Sequence, residues 1–224
     1  MIELLGNLFA PLVALLGAGL QFFHDSGLPW WLSIVMLTIA VRTMLFPFTI
    51  KQARNMRQLQ ELKPELDKLQ EKHGKDPKKQ QQATMELYSE RDINPLGCGI
   101  PMLVQMPIFL GLFYTIKDFE GVQGFESGGL LWFQDLTTAD PYFILPVIFV
   151  LTMMAAQEIT LRNTAPQQRR LMRLLPPVFG IFMAFGGFPA GLFVYWIASN
   201  VITFVQNILI YGPLGSGIRG RDAT

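Results

Sequence analysis

Residues 28–50 read LPWWLSIVMLTIAVRTMLFPFTI, twenty-three residues with a single charge, Arg42. A run of roughly 20 mostly apolar residues is what an α-helix needs to cross a bilayer. The stretch therefore reads as a membrane span that carries an arginine inside it, and the rest of the chain can be placed outward from it. With its flank it gives span one at residues 26–50. Apolar runs then follow at 95–116, 141–162, 174–187 and 190–211. The fourth is short and opens with Pro176 and Pro177, and proline is tolerated near a helix start, where its amide would lack a partner anyway. A turn at Gly186-Gly187-Phe188-Pro189 separates it from the fifth. Composition agrees. Of 224 residues 50% are hydrophobic and 16% charged, against about 25% charged in soluble domains, and the mean hydropathy is +0.32.

The charges orient the spans. Residues 51–94 hold ten Lys or Arg and eight acids, whereas 117–140 holds one Lys and five acids. Arg162, Arg169, Arg170 and Arg173 sit at the third-to-fourth connection, and Arg219 and Arg221 in the tail. Basic loops stay cytoplasmic, which places 51–94, 163–173 and the tail 212–224 inside and 117–140 outside. The expectation is a multi-pass protein of the bacterial inner membrane, N-terminus outside and C-terminus cytoplasmic. Residues 1–25 are apolar but interrupted by Gly6, Asn7, Pro11, Gly17 and Gly19, and carry no basic n-region. They read as an amphipathic helix at the outer interface in preference to a sixth span.

Within residues 51–94, Met56, Leu59, Leu62, Leu66 and Leu69 recur at three- and four-residue steps, a thin apolar stripe on a charged helix. His73-Gly74-Lys75-Asp76-Pro77 is a turn signal and Lys78 to Glu90 a second helix. The segment is expected to be a helical hairpin, either self-packed and solvated or a docking surface for a client or targeting factor.

Arg42 lies eight residues, roughly 12 Å, from the cytoplasmic end of span one. At such depth an arginine costs about 2.5–3.5 kcal/mol on insertion scales, so it should face the bundle interior or water. The expectation is a hydrated arginine not paired to a carboxylate, since Glu158 lies nearer the cytoplasmic end of span three and has Arg162 as a helical partner. Thr38 is one turn outward on the same face, and Gln105 on span two reaches a similar depth. On span five Trp196, Asn200, Thr203 and Asn207 fall at steps of four, three and four, with Gln206 beside them. Singly each is an interhelical hydrogen-bonding group of small worth. Together they point to a polar cavity in the cytoplasmic half of the bilayer.

No enzymatic chemistry attaches to these residues. One cysteine, Cys98, and two histidines, His24 and His73, leave neither a Cys-based metal site nor a His-centred triad. There is no phosphate-binding G-x-x-x-x-G-K-[ST], no G-x-S-x-G, no dinucleotide fingerprint and no direct nucleic-acid motif. The protein is read as a non-enzyme without cofactor or metal. A small transporter using Arg42 to bind an anion is the alternative, though transporters usually show internal repeats and none is visible.

Four stretches carry a resemblance: Val41-Arg42-Thr43-Met44-Leu45-Phe46-Pro47, Asn94-Pro95-Leu96-Gly97-Cys98, Pro101 to Phe109, and Phe188-Pro189-Ala190-Gly191-Leu192 leading to Tyr195-Trp196 and Ser199-Asn200. In order and spacing they resemble the YidC-type membrane protein insertases, the family that includes mitochondrial and chloroplast homologues, without the large extracytoplasmic domain of some Gram-negative members. The resemblance implies an all-α membrane protein with a five-span core, an N-terminal interfacial helix and a cytoplasmic helical hairpin. It also implies a hydrophilic groove open to cytoplasm and lipid, with Arg42, Thr38, Gln105, Trp196, Thr203 and Asn207 on its walls; Asn200 and Gln206 join them by spacing. The partners would be nascent membrane-protein clients and the lipid bilayer, with the ribosome, targeting factors and the translocon as further candidates. One departure is Gly187, where some members place an aromatic.

Overall fold

The computed structural model describes residues 2–73, 76–91, 100–119, 121–122, 124–161 and 166–211, at some helical positions (101–104 among them) by backbone alone. Gly74 and Lys75 at the hairpin tip, the 94–98 motif, Arg162 and the tail from 212 lie outside the described residues. Among those described there are eight helices and no extended strand: α1 (Ile2–Asp25), α2 (Trp30–Met44), α3 (Phe46–His73), α4 (Pro77–Glu90), α5 (Ile100–Asp118), α6 (Ile144–Leu161), α7 (Pro166–Phe185) and α8 (Ala190–Tyr211). The chain divides into two compact units, residues 1–44 with 106–224, and residues 45–105.

In the first unit α8 is central, with α2 and α6 against it, α7 against α6 and α1 against α2. Ala190–Ile210 is long and apolar enough to cross a membrane as one helix. Trp30–Met44 and Phe46–Asn55 pass the same test together as a broken pair, while Ile144–Ile159 and Met172–Phe185 are shorter apolar helices. The break falls at Leu45, and Pro47 explains it: a proline ring would strike the carbonyl four residues back and offers no amide to the ladder. Helix α7 begins at Pro166, so Pro176 and Pro177 lie inside it and do not open it as the sequence predicts. The basic turn holding Arg169, Arg170 and Arg173 belongs to the same helix.

The segment 119–140 is packed and not merely a connection. Trp30 stacks on His24 at 3.6 Å between ring centroids and meets Phe119 and Phe125 edge-on at 5.4 and 5.3 Å. Phe125 and Leu136 are fully buried. The segment also satisfies amides that a helix start leaves orphaned. Thr138 O accepts from Ala190 N at 2.7 Å, Leu136 O from Gly191 N at 2.9 Å, and Gly128 O from Trp31 N at 3.0 Å. Gly191 permits the second of these, since a Cβ there would sit 3.1 Å from Leu136 O. Asp140, buried, accepts from Leu145 N at 2.6 Å and so caps α6. Helix α1 lies along α5 through Gly111, whose Cβ position is 3.0–3.1 Å from Leu16 and Leu12 side chains.

The second unit is built on the α3–α4 hairpin. Asp76 caps α4, accepting from Lys79 N at 3.3 Å, with Pro77 at the first helical position. Arg91 bonds Glu65 at 2.8 Å across the two helices, both side chains about half exposed, and Leu62 is buried.

Candidate functional site

Arg42 sits in the last turn of α2, on a helix with no other charged residue. It is half-buried and its guanidinium donates to Ser199 Oγ of α8, through Nε at 3.0 Å and also through Nη2. The acceptor that the α2–α8 contact brings within reach is a hydroxyl, a neutral group that the sequence reading of Arg42 did not name. Two turns further along α8, Gln206 Nε2 donates to Arg42 O at 3.4 Å. Ser199 and Gln206 are both buried. Seven residues is close to two full turns at 3.6 residues each, so both face α2, and Arg42 is held through side chain and carbonyl alike. Gln206 Oε1 is buried with no hydrogen-bond donor among the described groups.

The remaining polar residues divide between two faces. Thr38 is buried and donates to Ile34 O at 2.7 Å, within its own helix. Thr203 likewise donates to Ser199 O at 2.8 Å. Asn200 turns to α6, donating to Phe149 O at 3.4 Å and Thr152 Oγ1 at 3.3 Å. Asn207 also reaches α6, at Ala156 O, 3.0 Å away. These two carboxamides tie α8 to α6, while Ser199 and Gln206 tie it to α2. Trp196 is half-buried in an aromatic cluster, stacked on Phe109 of α5 at 5.1 Å with Phe149 at 5.3 Å and Phe193 at 5.8 Å. Gln105 is half-buried at the sixth residue of α5, within the second unit. Glu158 is engaged by Arg173 of α7, at 3.1 Å from its Nε, the corresponding Arg162 lying outside the described residues. The carboxylate raises the Arg173 pKa above its ordinary value by hydrogen bond and by charge.

Ser199 is the residue the sequence reading overlooked as a site. The signal was available: Ser199, Thr203 and Gln206 fall at steps of four and three, as regular as the stripe through Trp196. Outside the bundle, large apolar side chains are bare: Val147 57%, Leu151 61%, Ile181 61%, Phe182 63% and Phe185 83% exposed. Soluble proteins rarely present such continuous apolar surface. Fold and site together define an all-helical protein of membrane type, with large apolar side chains bare on its outside and an arginine held between helices.

The profile of the family described as 60Kd inner membrane protein matches residues 21–215. A "Membrane protein insertase YidC" of Pseudoalteromonas atlantica is 39% identical over 198 residues, covering 88% of this chain and 36% of that protein. One from Neisseria meningitidis is 41% identical over 177 residues, covering 79% and 32%. The chain thus spans about a third of the length of these relatives. Among solved structures, an active YidC insertase with its first transmembrane domain resolved superposes with a TM-score of 0.63 at 25% identity, over 89% of this chain and 45% of that one. The chain belongs to the 60Kd inner membrane protein family, in agreement with the resemblance carried by the four motifs.

Proposed function

We propose that this chain is a membrane protein insertase of the bacterial inner membrane, moving nascent membrane-protein segments into lipid without nucleotide hydrolysis. Arg42 supports the reading best: it is a guanidinium half-buried on an apolar helix and held by Ser199. A polar tail crossing hydrocarbon loses its hydrogen bonds to water and finds no others. Once parted, a seam that holds Arg42, Ser199 and the buried, unbonded carbonyl of Gln206 replaces part of that hydration, and the positive charge draws acidic tail residues to it. The client's apolar segment then partitions into lipid, which supplies the driving force.

In this reading Arg42 is the client-attracting group, Ser199 its positioning partner, and Thr38, Thr203 and Gln206 line the same side. Asn200 and Asn207 brace α8 on α6, and Trp196 presents an aromatic wall continuous with Phe109. Gln105, one turn before Phe109 on the same face of α5, is proposed as a further groove residue. The hairpin and the C-terminus are cytoplasmic, with five core spans.

Purified protein in liposomes, supplied with a single-span client bearing an acidic tail, tests this. Wild type and Arg42→Lys should protect the tail from external protease, and Arg42→Ala should lose most of that protection. Equal insertion by all three would overturn the role of Arg42. Uptake of a radiolabelled inorganic anion, with no client insertion, would replace the insertase by an anion transporter.

A further inference from the structure

Helices α6 and α7 run antiparallel, and between them lies an open groove of about 370 Å³ lined by apolar side chains, among them Val147, Val150 and Leu151 on one side and Pro177, Ile181 and Ala184 on the other. Its floor is Gly180, where a Cβ would stand 2.1 Å from Val150 Cγ2. One end is closed by the rings of Phe143 and Phe185, 6.1 Å apart. At the other end the lining stripe continues without a change of face: Ala184, Ile181 and Pro177 lead by steps of three and four to Arg173 and then Arg170. On α6 the matching stripe ends at Glu158, which bonds Arg173. That pair neutralises one charge, so the exposed Arg170 leaves the mouth positive.

We propose that this groove holds an anionic phospholipid, one acyl chain lying between α6 and α7 and the headgroup phosphate against Arg170 and the Arg173 end. Shape and charge both select that occupant. Pro177 to Phe185 spans about 12 Å of helix, and α6 and α7 meet at Gly180 and Val150, so the groove above that contact is a narrow cleft and not a seat for a helix of about 10–12 Å diameter. An unbranched hydrocarbon chain fits, whereas a client helix or a second copy would lie over the groove and leave it empty. A basic cluster immediately cytoplasmic of an apolar cleft is where a phosphate-bearing headgroup gains most, by about 1 kcal/mol per arginine. A structural lipid here would cover the Gly180–Val150 contact and secure the short apolar part of α7, Met172–Phe185, against α6.

The full chain in mixed micelles of phosphatidylglycerol and phosphatidylcholine with matched acyl chains, read by native mass spectrometry, tests the site. Wild type should retain one phosphatidylglycerol in preference to phosphatidylcholine. Arg170→Gln should reduce that preference about fivefold, and Ala184→Phe should reduce retention of both lipids by filling the groove. Circular dichroism checks that each variant keeps its helix content. With the wild-type chain alone, a photoactivatable phosphatidylglycerol should label peptides from α6 and α7. Equal retention of the two lipids by wild type, an unchanged preference in Arg170→Gln, or labelling confined to other helices would overturn the proposal. So would an Ala184→Cys variant that cross-links to a client helix or to another copy and excludes the lipid probe.

Discussion

Ser199 and Asn207 illustrate how two buried polar groups on one helix carry different burdens. Ser199 holds a charged group; Asn207 holds a carbonyl of α6. Ser199→Ala leaves the guanidinium short of an acceptor, and an unsatisfied buried partner costs about 1–3 kcal/mol. It should therefore lower client insertion severalfold by letting Arg42 drift from its position. Asn207→Ala removes one interhelical hydrogen bond, worth about 0.6 kcal/mol on average in membranes. It should lower the thermal midpoint slightly and leave insertion near the wild-type level. Measuring insertion rate and thermal midpoint on both variants decides the matter; the opposite ranking in insertion would remove Ser199 from the positioning role. Arg42 as the focal residue was legible in the sequence because a lone charge in an apolar run has few explanations. Its partner was not, since two stripes of equal regularity cross at Thr203. Choosing between them requires knowing which neighbour each face meets, and helical spacing alone does not contain that.

At the scale of the element, α7 departs most from its sequence reading. Hydropathy marks where the apolar residues begin, at 174, but the helix starts eight residues earlier because Arg169, Arg170 and Arg173 continue the same hydrogen-bond ladder. Hydropathy thus located the apolar portion, while the helix boundary followed backbone geometry that hydropathy does not report. Close approach to α6 is set by one glycine. A valine at Gly180 would collide with Val150, and overpacking of this kind typically costs about 1–3 kcal/mol. Gly180→Val should lower the thermal midpoint in detergent, and adding Val150→Ala should recover part of the loss by vacating the space. A double variant no more stable than Gly180→Val alone would mean that the collision is not what limits the approach. The break at Leu45 was legible in principle from Pro47, yet the run 28–50 is so uniformly apolar that composition hides it.

For the whole molecule, the chain divides into two compact units, and the second, residues 45–105, contains the charged segment 51–94 together with apolar residues on either side. The hairpin is stitched by an exposed Arg91–Glu65 pair, and exposed pairs contribute only about 0–1 kcal/mol. Deleting residues 61–86 should leave the protein's own abundance in the membrane close to wild type. The flanking Lys51, Arg54, Arg57 and Arg91 remain to anchor the topology, and loop closure changes by less than about 1 kcal/mol. Client insertion in cells should nonetheless fall, because the hairpin would act in capture. Quantifying abundance and insertion side by side tests this; a parallel collapse of both would make the hairpin a folding element.

The ties between α2 and α8 are unevenly distributed along their length. At their N-terminal ends, the carbonyls of Gly128, Leu136 and Thr138 grip both helix starts while the rings around Trp30 fill the space beneath. Towards the C-terminal end of α2 the described polar ties between the pair are those of Ser199 and Gln206 with Arg42. Mechanically the pair is a pair of tongs, riveted at the top and lightly latched at the tip. In the proposed reading, a client segment would part the two helices from the Arg42 end, where the described ties are side-chain hydrogen bonds, and not from the end gripped by backbone carbonyls.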